Sequence, residues 1–304
     1  MERGTGNRQG KRPGCGPYLI WRSELILHEA ERGDTLRRIA RSGDPDRTLA
    51  VSFAPREARD DLFALIALNV ELARIAEIVS EPGLGMIRLQ WWRDAIDRAE
   101  SGEATGHPVV DAIGAALRRQ KLSRVRIDAL IEARNFDIET KIMPDWAALE
   151  AYLAATAGGV FALGAERLGA PGLPLEPASF QAGLAYGLTG LMRALPVHAA
   201  SGRVYLPADA LLRHGTSPEA VLAGQSSDGL LAVLAELRLK ARQALAEANR
   251  HVAELDTNAR AAFRPLCLVD PYLASLEKAG RDPLREIAGI NPLTRVWRMA
   301  WWRG

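Results

Sequence analysis

The chain has 304 residues, 48% apolar and 25% charged, which is enough apolar material for one large or two ordinary domains and excludes disorder as the main state. Its 39 basic and 37 acidic side chains leave a formal charge of +2, so no global field points to nucleic acid and an anionic partner has to be recognised locally. Two cysteines, Cys15 and Cys267, are too few for a disulfide framework or a zinc site and fit a reducing, cytoplasmic setting.

Met1 to Pro17 is rich in Gly, Arg and Pro and lacks the apolar run of a signal peptide. Residues 1–20 are therefore expected to form a disordered basic extension ahead of a single all-α domain over 21–304. The run from Arg56 to Val79 carries strong helix formers and stops before Pro82-Gly83, which predicts one long, largely buried helix. Gly85 to Glu100 places Met86, Leu89, Trp92 and Ile96 at helical intervals. Further helices are predicted at about Pro108 to Arg119, Ser123 to Thr140, Asp145 to Thr156 and Gly159 to Leu168. Beyond the turn-rich Gly169 to Pro174 come Pro177 to Leu195, Pro207 to His214, Pro218 to Ala223 and Asp228 to Leu255. Arg203-Val-Tyr-Leu206 is the one β-like run and is too short to found a sheet. No stretch approaches the roughly 20 consecutive apolar residues of a transmembrane helix, which predicts a soluble or peripheral protein.

Several chemistries drop out at this level. There is no GxGxxG after a strand, no P-loop, no HExxH and no Gly-x-Ser-x-Gly. Four of the five histidines read as capping or surface residues, and His198 stands apart because of its neighbours.

Those neighbours carry a resemblance. Leu188-Thr-Gly-Leu-Met-Arg-Ala-Leu-Pro-Val-His-Ala-Ala-Ser-Gly-Arg-Val-Tyr-Leu-Pro207 resembles, without a gap, the second signature of the squalene/phytoene synthase family, with Arg193 and the run Gly202 to Pro207 agreeing. Ser52-Phe53 and Leu62 to Leu68 resemble the approach to the family's first Asp-rich motif. His107-Pro108, Glu132 to Asp137, Tyr152 and Gly158-Gly159 fit its middle region. The resemblance spans about Thr48 to Gly215 and implies the isoprenoid (terpenoid) synthase-like fold, an all-α bundle with a central cavity. It also implies the chemistry to look for, in which magnesium bridges substrate diphosphate and carboxylates one helical turn apart on two facing helices.

Carried over position by position, the first motif falls on Ala73, Arg74 and Glu77, so two aspartates are missing and Arg74 puts a cation where a cation should bind. The second motif's aspartates fall on Ala194 and His198, and its asparagine on Gly190. Glu77 is the one retained metal-ligand candidate. With the replacements in Asn69 to Ala73, Gly85 to Arg93 and Leu191 to His198, the chain resembles the family's degenerate branch, which includes a mitochondrial respiratory complex I assembly factor and its bacterial relatives. The resemblance implies a pseudo-enzyme acting in complex I assembly, with no catalytic residues, no cofactor, and a cytoplasmic location that extends to peripheral contact with the inner membrane. The alternative is an active prenyl diphosphate transferase, which alone would require Mg²⁺.

Arg193, His198, Arg203 and Tyr205 are the candidate ligand-binding residues; the resemblance places Arg193, His198 and Arg203 around the former diphosphate position, where they would meet an anionic head group, with a prenyl or lipid ligand in the cavity. The opposing structural account has Arg193 and Arg203 paired with Asp137, Glu139 or Asp209, and Glu77 an exposed carboxylate beside Arg74. Trp91 and Trp92 point about 100° apart on a helix, so only one is expected in the core. The C-terminal run Arg295 to Arg303 interleaves three Trp with three Arg. It suits a bilayer interface or an acidic protein partner, or else forms a last helix whose Trp residues pack on the body while its Arg residues stay wet. No nucleic-acid partner is expected.

Overall fold

The computed structural model describes residues 31–79, 81–139, 142–170 and 175–303. The expected N-terminal extension and Cys15 lie outside the described residues. Helices occupy 31–43 (α1), Pro45–Val51 (α2), Arg56–Ile78 (α3), Pro82–Glu100 (α4), Pro108–Arg118 (α5), Arg124–Ala133 (α6), Asn135–Glu139 (α7), Trp146–Leu153 (α8) and Gly159–Arg167 (α9). Leu175–Ala200 (α10), Ala208–Arg213 (α11), Pro218–Leu222 (α12), Asp228–Val252 (α13), Thr257–Arg260 (α14), Val269–Leu276 (α15) and Pro292–Trp301 (α16) follow among the described residues. The architecture is the all-α bundle that the sequence predicts.

Local chemistry explains the helix ends. Proline opens α2, α4, α5, α12 and α16, where its missing N–H is no loss. Side chains of Asp44, Ser123, Asp145, Ser217, Ser227 and Asn291 accept from free N–H groups in the first turns of α2, α6, α8, α12, α13 and α16. The α3 helix is apolar around most of its circumference because it is buried from Leu62 to Leu68 without interruption.

Two apolar clusters make up most of the interior. One gathers around α10 and α13, the other around α3, α4, α5 and α6. Helix α9 belongs to both, giving Phe161 and Ala162 to the first and Val160 and Leu163 to the second. A small third cluster of Ala50, Leu268, Tyr272 and Met299 seats α16.

Between α8 and α9 the chain widens into a π turn, Ala154–Gly158, so Trp146–Arg167 runs as one continuous helix. By length and composition this helix could cross a membrane, contrary to the sequence expectation. Its packing against α10 accounts for the apolar content. A Cβ on Gly183 of α10 would stand 2.6 Å from the Gly158 nitrogen, so the two segments touch backbone to backbone.

Other departures have equally local causes. The helix predicted over Ser123 to Thr140 breaks at Arg134, whose side chain turns into a buried polar cluster. The α2 helix escaped the sequence reading because seven residues are too few to show periodicity. A 3₁₀ segment, Ala261–Leu268, precedes α15 and carries Pro265 within it. Arg203 to Leu206 supplies only an isolated parallel bridge between Val204 and Ile142, reinforced by the Met143 amide donating to the Val204 carbonyl at 2.8 Å.

Candidate functional site

A cavity of about 780 Å³ lies between α3 and α10, closed at its sides by α7, α8 and the Arg203–Tyr205 segment. Ala73 and Glu77 line it from α3, and Gly190, Ala194 and His198 line it from α10. Each set is spaced by four residues, so one stripe of each helix faces the space. The positions inferred from two separate motifs thus converge on one cavity.

Arg74 does not share it. Its side chain leaves the stripe, donates to the Ser42 hydroxyl at 2.9 Å and lies 3.8 Å from Glu71. The cation expected at the first motif is therefore outside the cavity, one helical position being about 100° off the stripe. Nor does Arg74 serve Glu77, since Glu71 is its carboxylate partner.

Arg193 is the second correction. It precedes Ala194 on α10 and turns away to α15, where its guanidinium sits 3.5 Å from the centre of the Tyr272 ring. Its Nε donates to the Ala288 carbonyl at 3.0 Å, and Nη1 lies 4.0 Å from Asp46. It lines a separate, smaller cavity of about 240 Å³. Neither Arg193 nor Arg203 takes Asp137, Glu139 or Asp209 as partner in the way the sequence allowed.

Arg203 does line the main cavity and donates to the Ala76 carbonyl at 2.6 Å, satisfying a free acceptor in the last turn of α3. His198 packs against Tyr205 with ring centres 4.7 Å apart. Burial pushes its pKa down to about 4, with nearby Asp137 pulling the other way and Arg203 adding to the drop. The imidazole is therefore neutral near pH 7, and the former aspartate position carries no positive charge.

Asp137 organises the wall of the cavity. It is buried, accepts from the Tyr205 hydroxyl at 2.7 Å and the Tyr152 hydroxyl at 2.9 Å, and pairs with Arg134 at 3.0 Å. Arg134 also donates to Asn69 at 2.8 Å. Burial raises both phenols, helped by the adjacent Asp137 carboxylate, so they stay protonated and act as donors. On the opposite side Arg47 pairs with Asp44 at 3.1 Å, donates to the Ala157 carbonyl at 3.2 Å and lies 4.4 Å from the centre of the Tyr186 ring.

The Arg134–Asp137 pair could have been found at i and i+3 in a helical run, but its partners Tyr152 and Tyr205 are remote in sequence. Nothing flags Arg47. Trp92 is the core member of its pair and Trp91 the exposed one, both edge-on to the His107 ring rather than in the cavity.

A magnesium cluster does not fit these residues. Among the carboxylates lining the cavity, Glu77 and Glu81 are exposed, and Asp137 has both oxygens committed to hydrogen bonds. The α10 wall offers Gly190, Ala194 and a neutral His198 where oxygen ligands are needed. Among the described residues, no group of three or more His, Cys, Asp or Glu is placed to hold a metal ion.

Residues 40–302 match the squalene/phytoene synthase family. The chain belongs to this family. The match is wider than the Thr48 to Gly215 span read from the motifs and takes in α13 to α16. "NADH dehydrogenase (ubiquinone) complex I, assembly factor 6" of Bos taurus is 29% identical to it over 80% of this chain and 73% of that protein. Presqualene diphosphate synthase of Rhodopseudomonas palustris is 28% identical over 62% of this chain and 69% of that protein. The crystal structure of squalene synthase HpnC from Alicyclobacillus acidocaldarius superposes with a TM-score of 0.72 at 21% identity, covering 86% of this chain and 97% of that one, which shows the shared isoprenoid synthase fold.

Proposed function

We propose that the protein is a non-catalytic member of the squalene/phytoene synthase family that acts in the assembly of respiratory complex I. The observation that carries the non-catalytic half is the facing pair of stripes, which present Ala73, Gly190, Ala194 and His198 with Glu77 as their one carboxylate. Ionising a prenyl diphosphate requires charge stabilisation of the departing group by metal held between two helices, and a single carboxylate on one of them does not hold it. The assembly half is supported by similarity to complex I assembly factor 6 over four-fifths of the chain. The setting that follows is the cytoplasm, with peripheral contact to the membrane that houses complex I and protein partners among its maturing subunits. The cavity is kept as a binding space for an apolar ligand with a small polar end. Its wall offers Arg203, His198 and the donor cluster around Asp137, and no catalytic metal is involved.

Two experiments test the halves separately. Purified protein given farnesyl or geranylgeranyl diphosphate with Mg²⁺ should release no diphosphate above a blank, and turnover would establish the alternative, an active prenyltransferase. Cells lacking the gene should lose complex I activity while keeping their isoprenoid content, and normal complex I would remove the assembly role.

A further inference from the structure

The C-terminal helix α16 sits the opposite way round from a helix that packs its aromatic residues inward. Arg295 is turned to the body, where its guanidinium lies 2.8 Å from Asp46 and donates to the Tyr272 hydroxyl at 3.2 Å. Met299 is fully buried beside Tyr272 and Leu268. Trp302 lies 5.2 Å from the Arg264 guanidinium, which also donates to the Met299 carbonyl. These contacts fix the helix's rotation, and that rotation puts Leu293, Val296, Trp297 and Trp301 into solvent, exposed by 78%, 48%, 60% and 65%.

At 100° per residue these four side chains and Ala300 fall within an arc of about 140°. The arc is one continuous apolar face along the whole length of the helix. Arg298 stands exposed at its margin and Arg303 lies just beyond the helix end, while the segment from Pro292 to Arg303 contains no acidic residue. A large apolar face that ends in two indoles, with Thr294 and Arg298 along one edge and no acidic side chain in the segment, matches an interfacial environment, where indoles sit at head-group depth and arginines meet phosphate.

We infer that the outward face of α16, formed by Leu293, Val296, Trp297 and Trp301 with Arg298 and Arg303 at its edge, docks the protein on a lipid surface carrying anionic head groups. The helix lies flat in this arrangement, since Arg295, Met299 and Trp302 hold its other face to the body. The two free arginines supply the charge complementarity that selects an anionic bilayer over a neutral one. This inference stands independently of the catalytic reading, because no residue of the cavity takes part.

The test is flotation of the full chain with phosphatidylcholine vesicles, with and without phosphatidylglycerol. The wild-type protein should float with the mixed vesicles and bind those of phosphatidylcholine alone roughly tenfold less well or worse. Trp297→Gln with Trp301→Gln should abolish flotation, and Arg298→Gln with Arg303→Gln should weaken it roughly tenfold and remove its salt dependence. Both variants should keep the wild-type melting temperature, since the four side chains are solvent-exposed. Failure of the wild type to float with anionic vesicles overturns the inference, and so does unchanged flotation of the tryptophan variant. Sedimentation of vesicle-free protein covers a competing occupant: a concentration-dependent dimer lost in the tryptophan variant would assign the face to a second copy of the chain and overturn the lipid assignment.

Discussion

Asp137 holds the cavity wall together, because one buried carboxylate serves an arginine and two phenols that come from three separate parts of the sequence. Replacing it by alanine leaves Arg134 buried without its counter-charge and should cost about 3–5 kcal/mol, measured as a drop in the urea midpoint at unchanged slope. His198 gives a distinct signature. Its pKa is lowered from 6.5 to about 4 in the folded chain, so between those values the unfolded chain takes up a proton that the folded chain refuses. Its effect on stability is absent above pH 6.5, grows as pH falls through the window, and amounts to a loss of about 3 kcal/mol by pH 4. Thermal melts across that range should therefore show a flatter acid limb for His198→Gln than for the wild type. The sequence marked His198 as a special position but could not show that burial would keep it neutral. Charge on histidine is a property of its surroundings, and those come from Tyr205 and the last turns of two helices.

Glycines on α10 separate close packing from open cavity at the scale of one helix. Gly183 faces the π turn, where an added Cβ would lie 2.7 Å from the Gly158 Cα, so the backbone itself has to move. Gly190 faces the cavity and has nothing within 4 Å of the same position. Gly183→Ala should therefore destabilise by about 1–3 kcal/mol or more, whereas Gly190→Ala should be neutral or stabilising by up to about 1 kcal/mol through helix propensity. Denaturant titration of the two variants side by side checks both signs. Long helices such as α3, α10 and α13 were legible because they extend over enough turns to reveal a period. The π turn was not, since Ala-Ala-Thr-Ala-Gly reads as ordinary helix and only contact with α10 selects the wider form. The motif positions Ala73, Glu77, Gly190, Ala194 and His198 line one cavity, because each set repeats every four residues along its helix. The motifs misplaced Arg74 and Arg193 because a ligand set inferred from aligned positions says nothing about neighbours one residue away, which point to other partners.

Across the whole molecule, the family fold persists, while Glu77 is the one carboxylate kept among the motif positions carried over to Ala73, Arg74, Glu77, Ala194 and His198. Stability should then be indifferent to divalent metal: EDTA, or Mg²⁺ together with inorganic diphosphate, should leave the melting temperature unchanged, and a shift of several degrees with Mg²⁺ and diphosphate would point to a working metal site. What remains is a bundle whose two apolar clusters meet on α9, with a large cavity on one side of α10 and the amphipathic α16 seated on α2 and α15. Helix α2 is seven residues long, yet Arg47 reaches the cavity from it while Asp46 holds Arg295 of α16. A substitution that unravels α2 therefore injures two surfaces together and cannot be assigned to either from its phenotype. Genetic dissection of this protein should start from alleles at the two far ends, Ala194 and His198 for the cavity and Trp297 and Trp301 for the helix face, and treat lesions at positions 44–47 as compound.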